Sequence, residues 1–147
     1  MGVIVVGVDG SEGAAIALDF AMKEAELRGS KLRIVSAWEI PASVLASVVA
    51  GKEFYEEFRE TAVQVAAEAA ALIEEEVPSV EHEEIVVEGQ AAKALLSNAE
   101  DAELMVVGRR GHGSFTEMLL GSISRQVVVH AKCPLVIVPS PQIRKSD

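Results

Sequence analysis

The feature that most constrains the fold is a series of short apolar runs, rich in β-branched residues, separated by stretches of helical period. The runs are continuous rather than alternating, which is typical of strands buried on both faces of a sheet. They predict five strands, at Val3–Val8, Leu32–Ala37, Ile85–Val87, Leu104–Val107 and Leu135–Val138. Because each right-handed crossover places its helix against the sheet, the pattern predicts an α/β, doubly wound, five-stranded parallel sheet with helices on both faces.

Four stretches between the runs have apolar residues at helical spacing. The shared faces are Ala14, Leu18, Ala21 and Ala25; Phe54, Phe58, Val65, Ala69 and Leu72; Ala92, Leu95 and Ala99; and Ile123, Val127 and His130. Ser11 can cap the first helix and Gly29 can end it. The segment Trp38–Lys52 breaks the alternation, and as a long apolar connection it is either a lid or interface segment or an extra helical turn.

Length and charge bound the class of protein. The 147 residues suit one domain, 1–147, with a tail from about residue 140 that we expect to fray. With 23 acidic and 13 basic side chains, the net charge of −10 repels nucleic acids and anionic lipids, so neither is expected as a partner. No apolar run approaches the roughly 20 residues of a membrane span. A lone Cys133 and the lack of an apolar leader predict a cytoplasmic location.

Glycines gather directly after the fourth predicted strand, in Gly108-Arg-Arg-Gly-His-Gly113, and Gly121-Ser122 opens the fourth helix. Glycine permits positive φ and lets a ligand approach the backbone, so such a cluster can turn several N–H groups toward one anion. The helix N-terminus adds positive potential, and the Ser122 hydroxyl can cap the helix or contact a phosphate oxygen. The cluster therefore predicts a phosphate-binding loop, with a plain surface loop as the alternative.

The order G-x2-G-x9-G-S of Gly108, Gly111, Gly121 and Ser122 resembles the nucleotide motif of the ATP-binding branch of the universal stress protein family. Val3–Ser11 (VIVVGVDGS) is similar to that family's first strand and acidic turn, and VVVHAKCPLVIVP is similar to its last helix and strand. The resemblance covers essentially the whole chain. It implies the strand order 3-2-1-4-5, with a ligand crevice at the switch point between strands one and four.

The resemblance implies an adenine-nucleotide pocket in that crevice. Gly7, Val8 and Ala37 would contact the adenine through backbone groups. Asp9 would accept a hydrogen bond from a ribose hydroxyl or help to hold Mg²⁺, unless it serves only as a turn and cap residue. The other expected nucleotide contacts are Val107, Gly108, Arg109, Arg110, Gly111, His112, Gly113, Gly121, Ser122, Ile123 and Ser124.

The function that the resemblance favours is ATP binding by a stress-response or regulatory protein, with little or no fast hydrolysis and no catalytic residue. AMP and cyclic AMP share adenine, ribose and a phosphate with ATP, so the sequence leaves them open. It also leaves open a nucleotide-free regulatory dimer that acts through protein contacts.

Enzyme classes with other motifs are disfavoured. A dinucleotide-binding enzyme would place its pyrophosphate where Asp9 repels it, although Glu39 is well placed to hold a ribose. The P-loop motif G-x-x-x-x-G-K-[ST] and the nucleophile elbow G-x-S-x-G are absent from the sequence. The three histidines, His82, His112 and His130, have no zinc-ligand spacing with Cys133.

The last strand predicts the assembly. Leu135, Val136, Ile137 and Val138 form an apolar strand that we expect at the edge of the sheet. An open apolar edge is an aggregation hazard, and pairing with a second copy covers it with two-fold symmetry. We therefore expect a homodimer through this strand.

Overall fold

A five-stranded parallel sheet forms the centre of the protein. The computed structural model describes residues 1–47, 52–109 and 120–140. The elements in chain order are β1 (Val3–Gly7), α1 (Glu12–Arg28), β2 (Lys31–Trp38), α2 (Ala42–Ser47), α3 (Lys52–Glu76), β3 (His82–Glu88), α4 (Ala91–Asn98), β4 (Leu104–Gly108), α5 (Ser122–His130) and β5 (Leu135–Val138). The strand order is β3-β2-β1-β4-β5 and every pair is parallel. The predicted fold class and strand order are confirmed.

Alternate residues of the central strands enter two separate cores. Ile4 and Val6 of β1 pack on one face and Val5 on the other, and all three are fully buried. Helices α1 and α3 cover the first face, and α4 and α5 cover the second. Because both faces are covered, the strands are apolar at successive positions, which explains their continuous apolar runs.

Helix α1 forms as its sequence predicts. Ser11 is its N-cap residue and Gly29 ends it in the left-handed conformation with φ of 65°. The buried face includes all four predicted residues, Ala14, Leu18, Ala21 and Ala25. Among the helices of the described ranges, none is both long and apolar enough to cross a membrane.

Helix α3 buries a line of residues that shares only Ala69 with the predicted face. The buried line consists of Ala62, Ala66, Ala69, Ala70 and Ile73. Val65 and Leu72 only flank it, and Phe54 is 37% exposed. The small alanines let the helix backbone approach β2, where the Ser36 hydroxyl donates to the Ala62 carbonyl at 2.9 Å. A small side chain is needed at this close approach, whereas nearer the end of α3 the larger Ile73 is fully buried.

The segment that breaks the alternation contains the short helix α2. Strand β2 extends to Trp38, and residues 48–51 lie outside the described ranges. The Trp38 ring packs edge-on against Tyr55 at the start of α3, with ring centroids 4.7 Å apart. The Tyr55 hydroxyl donates to Glu88 Oε2 at 2.9 Å. This contact ties the start of α3 to the ends of β2 and β3, and a lid role for the segment stays a prediction.

Arg33 on β2 joins three elements at the amino edge of the sheet, where the strands begin. Its Nε donates to Glu83 Oε1 on β3 at 2.5 Å. Its Nη1 donates to Asp101 Oδ1 and to the Asn98 carbonyl, each at 2.7 Å. The hydrogen bond from Arg33 is the main cause that lowers the pKa of both carboxyl groups, Glu83 and Asp101. The guanidinium thus clamps the end of α4 to the β2–β3 pair.

This clamp makes stability depend on pH in a definite direction. The pKa values of the two carboxyl groups are lower in the folded than in the unfolded protein. The clamp therefore contributes fully to the free energy of unfolding above the ordinary carboxyl pKa of about 4, and this contribution is lost as the pH falls through the folded-state values. We expect Arg33→Met to lower the free energy of unfolding by about 1 kcal/mol at pH 7 and by less toward pH 3. Urea titrations at both pH values measure the effect.

Lys23→Met is the matched control, because Lys23 makes only an exposed ion pair with Asp19 one helical turn away. We expect it to change stability by a few tenths of a kcal/mol at most. An Arg33→Met loss that is the same at pH 7 and pH 3 would contradict the role of the two carboxylates.

Candidate functional site

The candidate site lies at the carboxyl edge of the sheet, where the strands end and where β1 and β4 are neighbours. The last β1–β4 pair is Val6–Val106. Beyond it, β1 leads into α1 on one face, whereas β4 is followed by α5 on the other face. The two strands therefore diverge into a crevice, flanked by Asp9 after β1 and by Gly108 at the end of β4. Open α/β sheets bind ligands at such a switch point.

The turn after β1 is held by its own side chains. Asp9 Oδ1 accepts a hydrogen bond from the Ser11 N–H at 2.9 Å, and Gly10 adopts φ of 81°. Ser11 Oγ in turn accepts from the Ala14 N–H at 3.1 Å. Asp9 itself is exposed. A carboxylate offers about four acceptor positions, so this turn role is compatible with a ligand contact.

Backbone groups of β2 face the crevice at Ala37. The Val8 N–H donates to the Val35 carbonyl at 2.9 Å, so the backbone groups of Val35 point toward β1. The N–H and C=O of a strand point to alternate sides at successive residues. Those of Ala37 therefore point the same way, but beyond the last β1–β2 pair, which is Gly7–Val35. One hydrogen-bond donor and one acceptor lie side by side there.

Four of the predicted site residues take part in the packing of the sheet, three through their side chains and one because it is a glycine. Val8 and Val107 are buried in the two cores. Ile123 packs partly buried against the core beneath α4. At Gly7, an added Cβ would lie 3.1 Å from the side chain of Leu95. Only backbone atoms of Gly7 and the two valines are suited to reach a ligand in the crevice.

Gly108 is in contact with the backbone of α1. A Cβ atom at this position would lie 2.7 Å from the carbonyl oxygen of Gly13. Among the described residues, positive φ occurs at Gly10, Gly29 and Gly89. Close approach, not a left-handed conformation, therefore requires glycine at position 108. Sequence reasoning did not identify Gly13 as the partner of Gly108. Its only signal in the sequence is that a glycine, which lowers helix stability, lies in the first turn of a helix.

The N-terminus of α5 opens onto the same crevice. Gly121 is the N-cap residue, with φ of −71° and ψ of 169°. Its own N–H donates to the Arg109 carbonyl at 2.8 Å, and its carbonyl accepts from the Arg125 N–H at 3.1 Å. Glycine has no side chain to accept from the amides of the first turn, so those N–H groups are available to an anion. The capping role considered for Ser122 is wrong, because Ser122 is the first residue inside the helix.

Two serines of α5 have different surroundings. Ser122 is exposed, whereas Ser124 is 3% exposed. The Ser124 hydroxyl is 2.7 Å from the Gly108 carbonyl oxygen and 3.1 Å from that of Arg109. A hydroxyl between two carbonyl oxygens donates its single proton to them. This bond had no signal in the sequence.

Arg109 combines a fixed backbone with an unpaired side-chain donor. Its N–H donates to the Val138 carbonyl at 3.0 Å, which extends the β4–β5 ladder. Its Nε is buried and has no hydrogen-bond partner among the described residues. A buried donor without a partner costs free energy, so this position is suited to an anionic ligand. The predicted contacts Arg110, Gly111, His112 and Gly113 lie outside the described residues.

Other candidate sites are separate from the crevice. A groove of about 320 Å³ between α4 and α5 is lined by Met105, at the start of β4, and by His130, at the end of α5, so it lies toward the amino edge. In the part of the chain that the structure describes, no group of three or more His, Cys, Asp or Glu is placed to hold a metal ion.

The fold and the crevice define a small doubly wound α/β protein with its candidate site at the switch point. The model of the Universal stress protein family matches residues 1–139. The chain therefore belongs to the universal stress protein family.

Relatives of known sequence agree with this assignment. Universal stress protein Rv2623 of Mycobacterium tuberculosis is 35% identical over 134 residues, which are 91% of this chain and 44% of that protein. A universal stress protein of Thermus aquaticus is 37% identical over 141 residues, which are 92% of this chain and 96% of that protein. The chain thus spans less than half of the mycobacterial relative and nearly all of the Thermus one.

Solved structures share the fold. The protein MJ0577 superimposes with a TM-score of 0.76 at 23% identity, covering 96% of this chain and 97% of that one. A universal stress protein in complex with cAMP has a TM-score of 0.68 at 27% identity, covering 95% and 98%. The universal stress protein of Archaeoglobus fulgidus in complex with dAMP has a TM-score of 0.71 at 25% identity, covering 94% and 98%.

The contact between Gly108 and Gly13 gives a test of packing at the site. We expect Gly108→Ala to lower the free energy of unfolding by about 1–3 kcal/mol, because the new Cβ meets a backbone oxygen that cannot move alone. Gly7→Ala is the matched control, since its Cβ meets only the flexible side chain of Leu95. Urea unfolding followed by Trp38 fluorescence compares the two variants. Equal losses would show that the close approach to α1 is not the constraint at position 108.

Proposed function

We propose that the protein binds an adenine nucleotide, ATP in the first place, in the crevice between β1 and β4. The observation that carries the proposal is the start of α5, where the first-turn amides follow a glycine N-cap beside Gly108. A helix N-terminus of this kind attracts phosphate through its N–H groups and its dipole. The residues that follow β1 and β2 supply the backbone groups and the carboxylate that would bind the nucleoside.

The adenine would lie between the ends of β1 and β2. Adenine offers a donor at its amino group and an acceptor at the adjacent ring nitrogen, and Ala37 presents the complementary acceptor and donor. Gly7 and Val8 would border the base through their backbones. Asp9, an exposed carboxylate after β1, would accept a hydrogen bond from a ribose hydroxyl.

The phosphates would lie over the start of α5. The amides of Ser122, Ile123 and Ser124 supply N–H donors, and the exposed Ser122 hydroxyl supplies another. The buried Nε of Arg109, which has no partner among the described residues, would donate to a phosphate oxygen. Gly108, Arg110, Gly111, His112, Gly113 and Gly121 complete the proposed phosphate contacts.

Mg²⁺ would fit this arrangement as part of a nucleotide complex. Mg²⁺ is commonly held by one or two carboxylates together with substrate phosphates and water, and Asp9 is the carboxylate in the turn between β1 and α1. When bound, the ion would neutralise phosphate charge. Fast phosphoryl transfer needs a positioned nucleophile beside the metal and pre-arranged cations. With Asp9 assigned to the ribose or the metal, we propose slow turnover or none, and a regulatory role.

AMP or cyclic AMP is the second candidate ligand. Universal stress proteins of this fold have been solved in complex with cAMP and with dAMP, and each of these ligands has a single phosphate. The α5 amides and Arg109 would serve one phosphate as well as three. A stress-response role in the cytoplasm is part of the same proposal and is supported by family membership.

We also propose that the protein forms a homodimer through β5. The two edges of the sheet differ: β3 includes His82, Glu83, Glu84 and Glu88, whereas β5 is entirely aliphatic. Charged side chains protect an edge strand against pairing, and an aliphatic one invites it. The backbone groups of Leu135 and Ile137 face outward, because those of Val136 and Val138 face β4.

Nucleotide titration with charge-matched variants tests the ligand proposal. We expect Arg109→Met to weaken ATP binding by about tenfold or more, since a hydrogen bond between charged groups is worth about 1.5–3 kcal/mol, and to leave adenosine binding unchanged. The readout is the fluorescence of Trp38, the only tryptophan of the chain, which follows Ala37.

Lys132→Met is the control, because it removes the same charge at the amino edge, before β5. If both variants weakened ATP binding equally, the effect of Arg109→Met would be due to the change in net charge and not to a direct contact. The proposed function would be overturned if the parent protein bound none of ATP, AMP, cyclic AMP and adenosine at millimolar concentration. The nucleotide-free regulatory dimer would then be the remaining hypothesis.

The dimer is tested by removing one outward N–H from β5. We expect Ile137→Pro to yield monomers, because proline lacks the N–H that would pair with a second copy. Ile137→Ala loses the same side-chain packing but keeps the N–H, so we expect it to stay dimeric. Sedimentation at micromolar concentration, with circular dichroism as a check of folding, distinguishes them. A monomeric parent, or a dimeric proline variant, would contradict pairing through β5.

A further inference from the structure

Ser124 is one of three buried polar residues in the described part of the chain, together with Ser30 and Ser36. It is the third residue of α5. A serine within a helix commonly donates to a carbonyl of the preceding turn, but the Ser124 hydroxyl instead donates to Gly108 and Arg109, at the end of β4. The first turn of α5 is therefore joined to the end of the strand by a side chain as well as by the Gly121 N–H.

The nearer acceptor, the Gly108 carbonyl, is directed toward the crevice. The Arg109 N–H pairs with the Val138 carbonyl and so faces β5, while the Arg109 carbonyl accepts from the Gly121 N–H at the start of α5. In a trans peptide unit the carbonyl of the preceding residue points opposite to the N–H. The Gly108 carbonyl therefore faces β1, beyond the last β1–β4 pair at Val6–Val106. A carbonyl oxygen with partial negative charge thus lies on the border of the crevice where the phosphates are proposed to bind.

We infer that Ser124 is a positioning residue that prepares this crevice for an anion, by satisfying the Gly108 carbonyl and fixing the α5 amides against the end of β4. Its single proton is donated to carbonyl oxygens, so the hydroxyl acts through the backbone and not as a phosphate ligand. Without it, the Gly108 oxygen would face the phosphates unsatisfied, and the first-turn amides would lose their fixed distance from the strand. The inference rests on the proposed function.

The consequence is a dependence on ligand charge. A repulsive carbonyl and displaced amides weaken binding of a phosphate group and leave a neutral nucleoside almost unaffected. We expect Ser124→Ala to lower the ratio of ATP affinity to adenosine affinity by about tenfold, the size expected if one displaced amide of the first turn loses its hydrogen bond to a charged phosphate oxygen. Ser124→Thr keeps a hydroxyl on Cβ and should restore most of the ratio.

Ser36→Ala is the matched control. The Ser36 hydroxyl is equally buried and also joins a strand to a helix, through the Ala62 carbonyl at 2.9 Å. Both alanine variants lose one buried hydrogen bond of the same kind, so both should lower the midpoint of urea unfolding by a similar amount. A purely structural role for Ser124 would make the two variants alike in ligand binding as well.

The experiment measures ATP and adenosine affinity by Trp38 fluorescence in the parent and in the three variants, with circular dichroism to confirm folding. A ratio that falls in Ser124→Ala and not in Ser36→Ala supports the inference. An unchanged ratio in Ser124→Ala, or a folded threonine variant that does not restore it, overturns the inference. If the threonine variant does not fold, the comparison of the two alanine variants decides. Failure of the parent to bind ATP refutes the proposed function instead.

Discussion

The parallel pairing of β1 with β4 is the constraint on which the rest of the site depends. This pairing stops at Val6–Val106, and the chain departs from the two strands to opposite faces of the sheet. The end of β4 is left so close to the first turn of α1 that only glycine fits at position 108. Two segments far apart in sequence therefore border one crevice through their backbones.

Electrostatic complementarity at the crevice is local and not global. The chain has a net charge of −10, which by itself disfavours an anionic ligand. Salt screens charges beyond a Debye length of about 8 Å at physiological ionic strength, so distant carboxylates weigh little against direct donors. Several acidic residues lie at the amino edge of the sheet, among them Glu83 and Asp101, whereas the start of α5 and Arg109 lie at the crevice. A small number of oriented N–H groups can therefore outweigh the overall charge.

The two edges of the sheet are stabilised in different ways. At the amino edge, Arg33 binds two carboxylates and the end of α4, so side-chain ion pairs hold the elements together. At the carboxyl edge the corresponding contacts are made by glycines, turn residues and the Ser124 hydroxyl. Because ion pairs at the amino edge hold the elements together, backbone groups at the carboxyl edge are left to face a ligand. Open α/β sheets generally bind their ligands at this edge.

The sequence by itself determined the element types, the two-sided burial and the limits of α1, because hydrophobic period and capping chemistry act over a few neighbouring residues. Through its resemblance to a family motif it also predicted Asp9 after β1 and Gly108 at the end of β4, where the structure has them. The buried line of α3, the Gly108–Gly13 contact and the Ser124 bond were decided only by the tertiary structure. In α3 both alanines and larger residues have helical spacing, and packing against β2 selects the line that contains four alanines and Ile73. The other two contacts join residues far apart in the chain, and no local pattern encodes the distance between them.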